Sequence, residues 1–173
     1  MKEIVIYSFI LWFLKYFLPP MIANASPLLV NGRCRIDFGK NFVDGRPLLG
    51  KNKTWEGLTV GVYMGSITAL ALSIILNDFS LFLVGLGASF SALMGDMAGS
   101  FIKRRVGLES GAPFPLLDQL DFALMTVIYY YIIGYNEVLL RIDFIVYSLL
   151  LIMILHIISN NIAYYIGVKN TRW

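Results

Sequence analysis

The sequence predicts an all-α integral membrane protein, with five transmembrane helices forming one membrane-embedded domain over residues 1–173. Three observations lead there. Hydrophobic residues make up 58% of the chain and charged residues 14%, and the mean hydropathy is +0.71; one soluble core cannot hide that much apolar surface. The apolar residues fall into stretches of about twenty, the length needed at ~1.5 Å per residue to cross ~30 Å of hydrocarbon. The charged residues gather in loops between these stretches.

The first span is predicted over Ile4 to Ala23, with Pro19 and Pro20 ending its regular helix. The triplet Ala23-Asn24-Ala25 also reads as the small-residue cleavage site of a signal peptide. Cleavage would leave the following Arg- and Lys-rich segment outside, against the inward bias of positive loops, so the helix is read as uncleaved. Lys15 within it is read as snorkelling to nearby headgroups.

A polar loop then runs from Asn24 to Glu56, with turns predicted at Asn31-Gly32 and Asp44-Gly45. It closes with GKNKTWEG, Gly50 to Gly57, immediately before the second span. Lys51 and Lys53, with Asn52 and Thr54 as hydrogen-bonding neighbours, form a candidate phosphate cradle at a helix start. A second reading of the same residues is structural: Thr54 caps the helix and the lysines face anionic lipid.

The second span covers Leu58 to Leu76 and carries Gly57, Gly61 and Gly65 at four-residue intervals, which lets helix backbones approach closely. The third begins near Phe79 and is rich in small residues, including Gly85, Ala88, Ala92, Gly95 and Gly99, so the two are expected to pack together. The same stripes would also serve a homodimer interface. Asp96 falls just inside the far boundary of the third span, where a carboxylate needs a cation or a basic partner. A second polar loop runs from Lys103 to Leu120; Phe122 to Leu140 and Phe144 to Ile166 are the fourth and fifth spans. His156, Asn160 and Asn161 in the last of these are read as interhelical hydrogen-bonding groups, with a polar pocket as the other reading.

Charge sets the orientation. The two long loops and the C-terminal Lys169 and Arg172 hold most of the Lys and Arg, whereas the opposite side holds Lys2 and Arg141. The N-terminus is therefore expected outside and the C-terminus in the cytosol, with both polar loops at the cytosolic face of the cell membrane. The single cysteine, Cys34, excludes an internal disulfide and a cysteine-rich zinc site. A net charge of +3, placed beside membrane spans, favours lipid headgroups or phosphates as partners, and no nucleic acid.

Between Gly95 and Asp121 stand three carboxylates (Asp96, Asp118, Asp121) and three consecutive bases (Lys103, Arg104, Arg105). On a helix Asp96, Ser100 and Lys103 share a face, as do Asp118 and Asp121. Carboxylates at short spacing suit Mg²⁺, which commonly binds through few protein acids plus substrate phosphates, and the bases suit the phosphates. The combination points to phosphoryl or nucleotidyl transfer on a membrane lipid.

The run Ser100-Phe101-Ile102-Lys103-Arg104, ending in Asp118-Gln119-Leu120-Asp121, resembles the signature of the phosphatidate cytidylyltransferase family, and GKNKTWEG resembles its lysine-rich loop. Small size and the KRR to PLLDQLD loop are most similar to the archaeal branch, whose product is CDP-archaeol. The chain departs from the wider family at Glu109-Ser110, where that family has Lys-Asp, at Gln119, where it has Arg, and in lacking a His-Gly-Gly run. These departures weigh against ordinary phosphatidate as substrate. The resemblance implies CTP-dependent activation of 2,3-bis-O-geranylgeranylglyceryl 1-phosphate to CDP-unsaturated archaeol, with release of pyrophosphate. It places Mg²⁺ on Asp96, Asp118 and Asp121, gives Lys103 a catalytic role, and assigns Lys51, Asn52, Lys53, Thr54, Ser100, Arg104 and Arg105 to substrate. Two other classes stand beside it: a CDP-alcohol phosphotransferase, whose acidic motif is not found here, and a small anion transporter.

Overall fold

The computed structural model describes residues 2–167. Lys169 and Arg172, used above in the charge tally, lie outside the described residues. The order is α1 (Lys2–Ala25), a 3₁₀ turn (Ser26–Leu29), α2 (Trp55–Ile75), α3 (Ser80–Arg105), α4 (Leu117–Ile132), α5 (Asn136–Leu139) and α6 (Ile142–Tyr165). Among the described residues there is no strand beyond two isolated bridges, Arg35 with Thr54 and Asn41 with Pro47. Among the described residues, four helices, α1, α2, α3 and α6, are long and apolar enough to cross a membrane.

The glycines of α2 build the centre of the bundle. A Cβ on Gly61 would lie 2.8 Å from both the Ala23 carbonyl oxygen of α1 and a Leu93 methyl of α3, and one on Gly65 would lie 2.5 Å from Ser89 Oγ. Removing the side chain lets three backbones meet, so dispersion and packing hold helices that lipid would not otherwise drive together. The expected α2–α3 pairing is thus present, and the stripe is spent inside the protomer rather than left for a second copy. The same device brings α4 onto α3: a Cβ on Gly95 would meet the Asp121 carbonyl oxygen at 2.5 Å, and one on Gly99 would meet Asp121 Oδ2 at 2.3 Å. Large apolar side chains such as Tyr63, Ile74, Phe90 and Leu150 face outward, as lipid-facing residues do.

Three expectations are corrected. Pro19 and Pro20 do not end the first helix; α1 continues through them to Ala25. Proline at position 20 deprives the Tyr16 carbonyl of its helical donor, and the Tyr130 hydroxyl of α4 donates to that carbonyl instead, at 2.7 Å. Both tyrosines are fully enclosed, so the freed oxygen never meets lipid. The fourth span is not one helix over Phe122 to Leu140: α4 begins at Leu117, ends at Ile132 and is followed by short α5. Gly134 (φ 64°) turns the chain there, and the Trp12 indole donates to the Glu137 carbonyl at 3.1 Å, covering backbone the break exposes. Asn31-Gly32 is not a turn; the chain there has no regular structure. Gly32 is small because Thr54 Oγ1 would lie 2.0 Å from a Cβ there. Asp44-Gly45 does turn, with the Gly45 amide donating to the Phe42 carbonyl at 3.0 Å.

Two smaller expectations also change. Lys15 reaches Glu137 Oε2 at 3.7 Å rather than standing alone toward headgroups. Asn161 donates to the Ile157 carbonyl of its own helix at 2.8 Å, not across to another.

Candidate active site

The C-terminal ends of α1 and α3 and the N-terminal ends of α2 and α4 lie at one end of the bundle, because α1 and α3 run antiparallel to α2 and α4 through the contacts just described. Both polar loops therefore meet there. The first is folded, not slack. Ile36 donates its amide to the Lys53 carbonyl and Trp55 its amide to the Cys34 carbonyl, each at 2.9 Å. Thr54 caps α2, its hydroxyl accepting from the Gly57 amide at 3.2 Å, and Glu56 accepts from the Arg33 and Cys34 amides at 3.0 and 3.1 Å. The capping reading of Thr54 is the one the geometry supports; the residue is buried beneath Gly32 and is not at the mouth of a site.

Where these elements meet, acids and bases alternate. Lys53, delivered by the turn before α2, forms an ion pair with Asp96 of α3. Lys103, on α3's last turn, pairs with Asp118 Oδ1 at 2.7 Å, and its ammonium also reaches the Ala112 carbonyl at 3.4 Å. Asp118 Oδ2 accepts from the Phe114 amide at 2.9 Å, so this carboxylate also closes the second loop onto α4. Asp121, one turn further along α4, is pressed against Gly99 and interacts electrostatically with Asp96, Asp118 and Lys53. Asp96, Asp118, Asp121, Lys53 and Lys103 are thus brought into one cluster from three segments: the turn before α2, α3 and the start of α4. Ser100 is buried on α3 one turn before Arg104.

The three aspartates do not form a ready metal cage: among the described residues, no three His, Cys, Asp or Glu side chains are close enough to hold an ion together. Each carboxylate already has a partner: Lys103 and the Phe114 amide hold Asp118, Lys53 holds Asp96, and the Phe122 amide donates to Asp121 Oδ1 at 2.7 Å.

Beside this cluster lies an open cavity of about 550 Å³ between the two loops. Arg35, Arg46, Lys51 and Arg104 contribute four cations to its wall, and Asp37, Glu109 and Ser110 are also on it. Arg104 is 4% exposed, and its Nε, like that of Arg105, has no hydrogen-bond partner; what sets Arg104 apart is its place on the wall of the cavity. Arg105 points elsewhere. Its guanidinium pairs with Asp44, donates to the Pro47 and Arg46 carbonyls, and lies 4.8 Å from the centres of both the Phe42 and Phe101 rings. The expected substrate contact at Arg105 is replaced by a clamp that fastens the first loop to the end of α3. The sequence reading missed Arg35, Arg46 and Asp37; the Asp37-Phe38-Gly39 run, an aspartate two residues before a glycine, was the available signal for a side chain that binds its own turn.

Comparison with known proteins decides what this site belongs to. Residues 6–173 match the family model described as CarS-like, CDP-archaeol synthase. The chain belongs to the CDP-archaeol synthase family. The CDP-archaeol synthase of Staphylothermus marinus is 59% identical over 167 residues, covering 96% of this chain and 95% of that protein. That of Methanococcus aeolicus is 38% identical, covering 98% and 97%. A solved structure, described as that of an intramembrane enzyme for archaeal membrane lipids biosynthesis, superposes with a TM-score of 0.78 at 39% identity over 84% of this chain and 90% of its own. The all-helical membrane architecture and the resemblance drawn from the two loop motifs both hold.

Proposed function

We propose that this protein is a CTP-dependent cytidylyltransferase that converts 2,3-bis-O-geranylgeranylglyceryl 1-phosphate to CDP-unsaturated archaeol and pyrophosphate. The observation that supports this most is the juxtaposition, in a member of this family, of the aspartate–lysine cluster with the four-cation cavity. An oxygen of the lipid phosphate attacks the α-phosphorus of CTP; the new P–O bond forms as the bond to the β-phosphate bridging oxygen breaks, and pyrophosphate leaves. Both reactants are anions, so the residues' work is alignment and charge neutralisation. Arg104, Lys51, Arg35 and Arg46 receive the triphosphate in the cavity. Lys53 and Lys103 stand at the bundle end, where the lipid phosphate arrives sideways between helices, and Asn52 and Ser100 add neutral donors. Asp118 holds Lys103 in place. No protein base is needed, because a lipid phosphate dianion is already nucleophilic near neutral pH.

Mg²⁺ is assigned to Asp96 and Asp121. The two carboxylates interact as like charges, with Lys53 paired to Asp96, and such a pair would accommodate a hydrated divalent cation completed by substrate phosphates. When bound, the ion would supply Lewis-acid neutralisation of the phosphate oxygens.

The chain forms one domain with five crossings, the fourth made by α4 together with the segment through Leu140. The N-terminus is outside, and the site faces the cytosol across the cell membrane. The test is turnover of labelled CTP by the purified protein in detergent with Mg²⁺ and either the geranylgeranyl ether lipid phosphate or phosphatidate. CDP-lipid from the ether lipid alone, lost in Asp96→Asn and Asp118→Asn, is the expected result. Equal use of both lipids would overturn the substrate assignment, and no CDP-lipid from folded protein would overturn the reaction.

A further inference from the structure

We infer that Asp37 is the positioning residue that holds the Gly50–Lys53 turn in the shape that presents Lys51 to the nucleotide's phosphates. The inference rests on the reading above. Asp37 is 5% exposed, and its carboxylate ties together three backbone amides from two parts of the first loop: Gly39 at 2.9 Å to Oδ1, and Leu49 and Gly50 at 3.0 and 3.1 Å to Oδ2. A charged acceptor shared among three amides is stronger and more directional than neutral bonds would be.

What it fixes matters. Gly50 has φ 103°, and a Cβ on it would lie 3.0 Å from Ser110 Oγ and 3.1 Å from Arg104 Nη1. Gly50 is therefore where the first loop, the second loop and the end of α3 come together at the cavity wall. Three residues later, Lys53 is held from the other side, its carbonyl accepting from Ile36 and its amide donating to the Gly50 carbonyl at 3.3 Å. The turn carrying Lys51 and Asn52 is thus pinned at one end by Asp37 and at the other by the chain beside it. Asp37 makes no charge pair with Lys51 that would compete for phosphate; its acceptors are spent on backbone, so the lysine remains available to the cavity.

Asparagine at position 37 has one acceptor oxygen and must turn its own N–H₂ toward an amide that also donates. The expected result for Asp37→Asn is a KM for CTP raised at least tenfold, with kcat and the KM for the lipid phosphate within threefold of the parent protein. In the same variant, hydrogen exchange of the segment containing Leu49 and Gly50, measured without substrate, should quicken at least tenfold. An unchanged KM for CTP overturns the inference even if exchange quickens, and so does a fall in kcat at constant KM. Should Asp37→Asn fail to fold, Asp37→Glu, which keeps the charge but moves the carboxylate one methylene away from the three amides, decides the matter: the same split supports the inference, and unchanged kinetics overturns it. Absence of CTP turnover in the parent protein would instead reject the proposed reaction, while the exchange comparison still reports whether Asp37 holds the turn.

Discussion

Lys53 and Arg105 show how similar residues in one neighbourhood acquire opposite work. Lys53 is aimed by its turn at Asp96, whereas Arg105 lies against the rings of Phe42 and Phe101, which meet edge-on, and is bonded to Asp44 and two carbonyls. Arg105→Ala should therefore act on stability, by about 1–3 kcal/mol, read as a lower thermal midpoint in detergent, with the KM for CTP within threefold once folded. A rise in KM without loss of stability would return Arg105 to the substrate site. Asp121→Asn should behave in the opposite way, lowering kcat by about 100-fold with little change in the thermal midpoint. Asp37 carries a pH consequence. Burial pushes its carboxyl up, but the Gly39, Leu49 and Gly50 amides and the Arg35 charge outweigh this and hold it below the usual carboxylate range. Its stabilising contribution is complete above the unfolded carboxylate value of about 4 and is lost as pH falls through the lower folded value. Exchange protection at Leu49 and Gly50 should accordingly be the same at pH 5 as at pH 7, and a loss at pH 5 would contradict this ordering.

Among the elements, α1 and α4 are joined by a hydrogen bond that makes good a missing backbone donor. The Tyr130 hydroxyl replaces the donor that Pro20 removes, so Tyr130→Phe leaves the Tyr16 carbonyl buried and unpaired, at a cost of about 1–3 kcal/mol. In a Pro20→Ala background the helix supplies its own amide. Tyr130→Phe should then cost much less, and a double-mutant cycle on thermal unfolding reads the difference. Equal costs in both backgrounds would show that the hydroxyl does not serve that carbonyl. The glycines of α2 and α3 work differently. They contribute no contact of their own but remove atoms, which is why Gly61 and Gly65 seat α1 and α3, and Gly95 and Gly99 admit the α4 backbone that carries Asp121.

For the whole molecule, the proposed orientation rests on charge asymmetry and is open to a direct reading. Cys34 is the sole cysteine, and it is exposed in the first loop. A membrane-impermeant maleimide should label it in inverted vesicles and not in intact cells, since the positive loops belong to the cytosolic side. Labelling from outside would reverse the topology and move the site to the other face.

Much of this was legible from composition and short motifs. Apolar stretches of membrane-spanning length require helices in lipid, because an unpaired backbone amide there has no water to turn to, and acids among bases beside such stretches are too costly to be incidental. The chain order alone placed Asp96, Lys103, Asp118 and Asp121 near one another, and the loop motifs carried the family. It did not separate Lys53 from Arg105, or show that Pro19 and Pro20 sit inside a helix, or that Asp37 binds three amides. Each of those outcomes depends on a partner far along the chain: Asp96, Tyr130, and the Leu49–Gly50 segment. Local sequence fixes which groups need partners and what a membrane charges for leaving them alone; only the packing of α1, α3 and α4 with the two loops determines which partner each group meets.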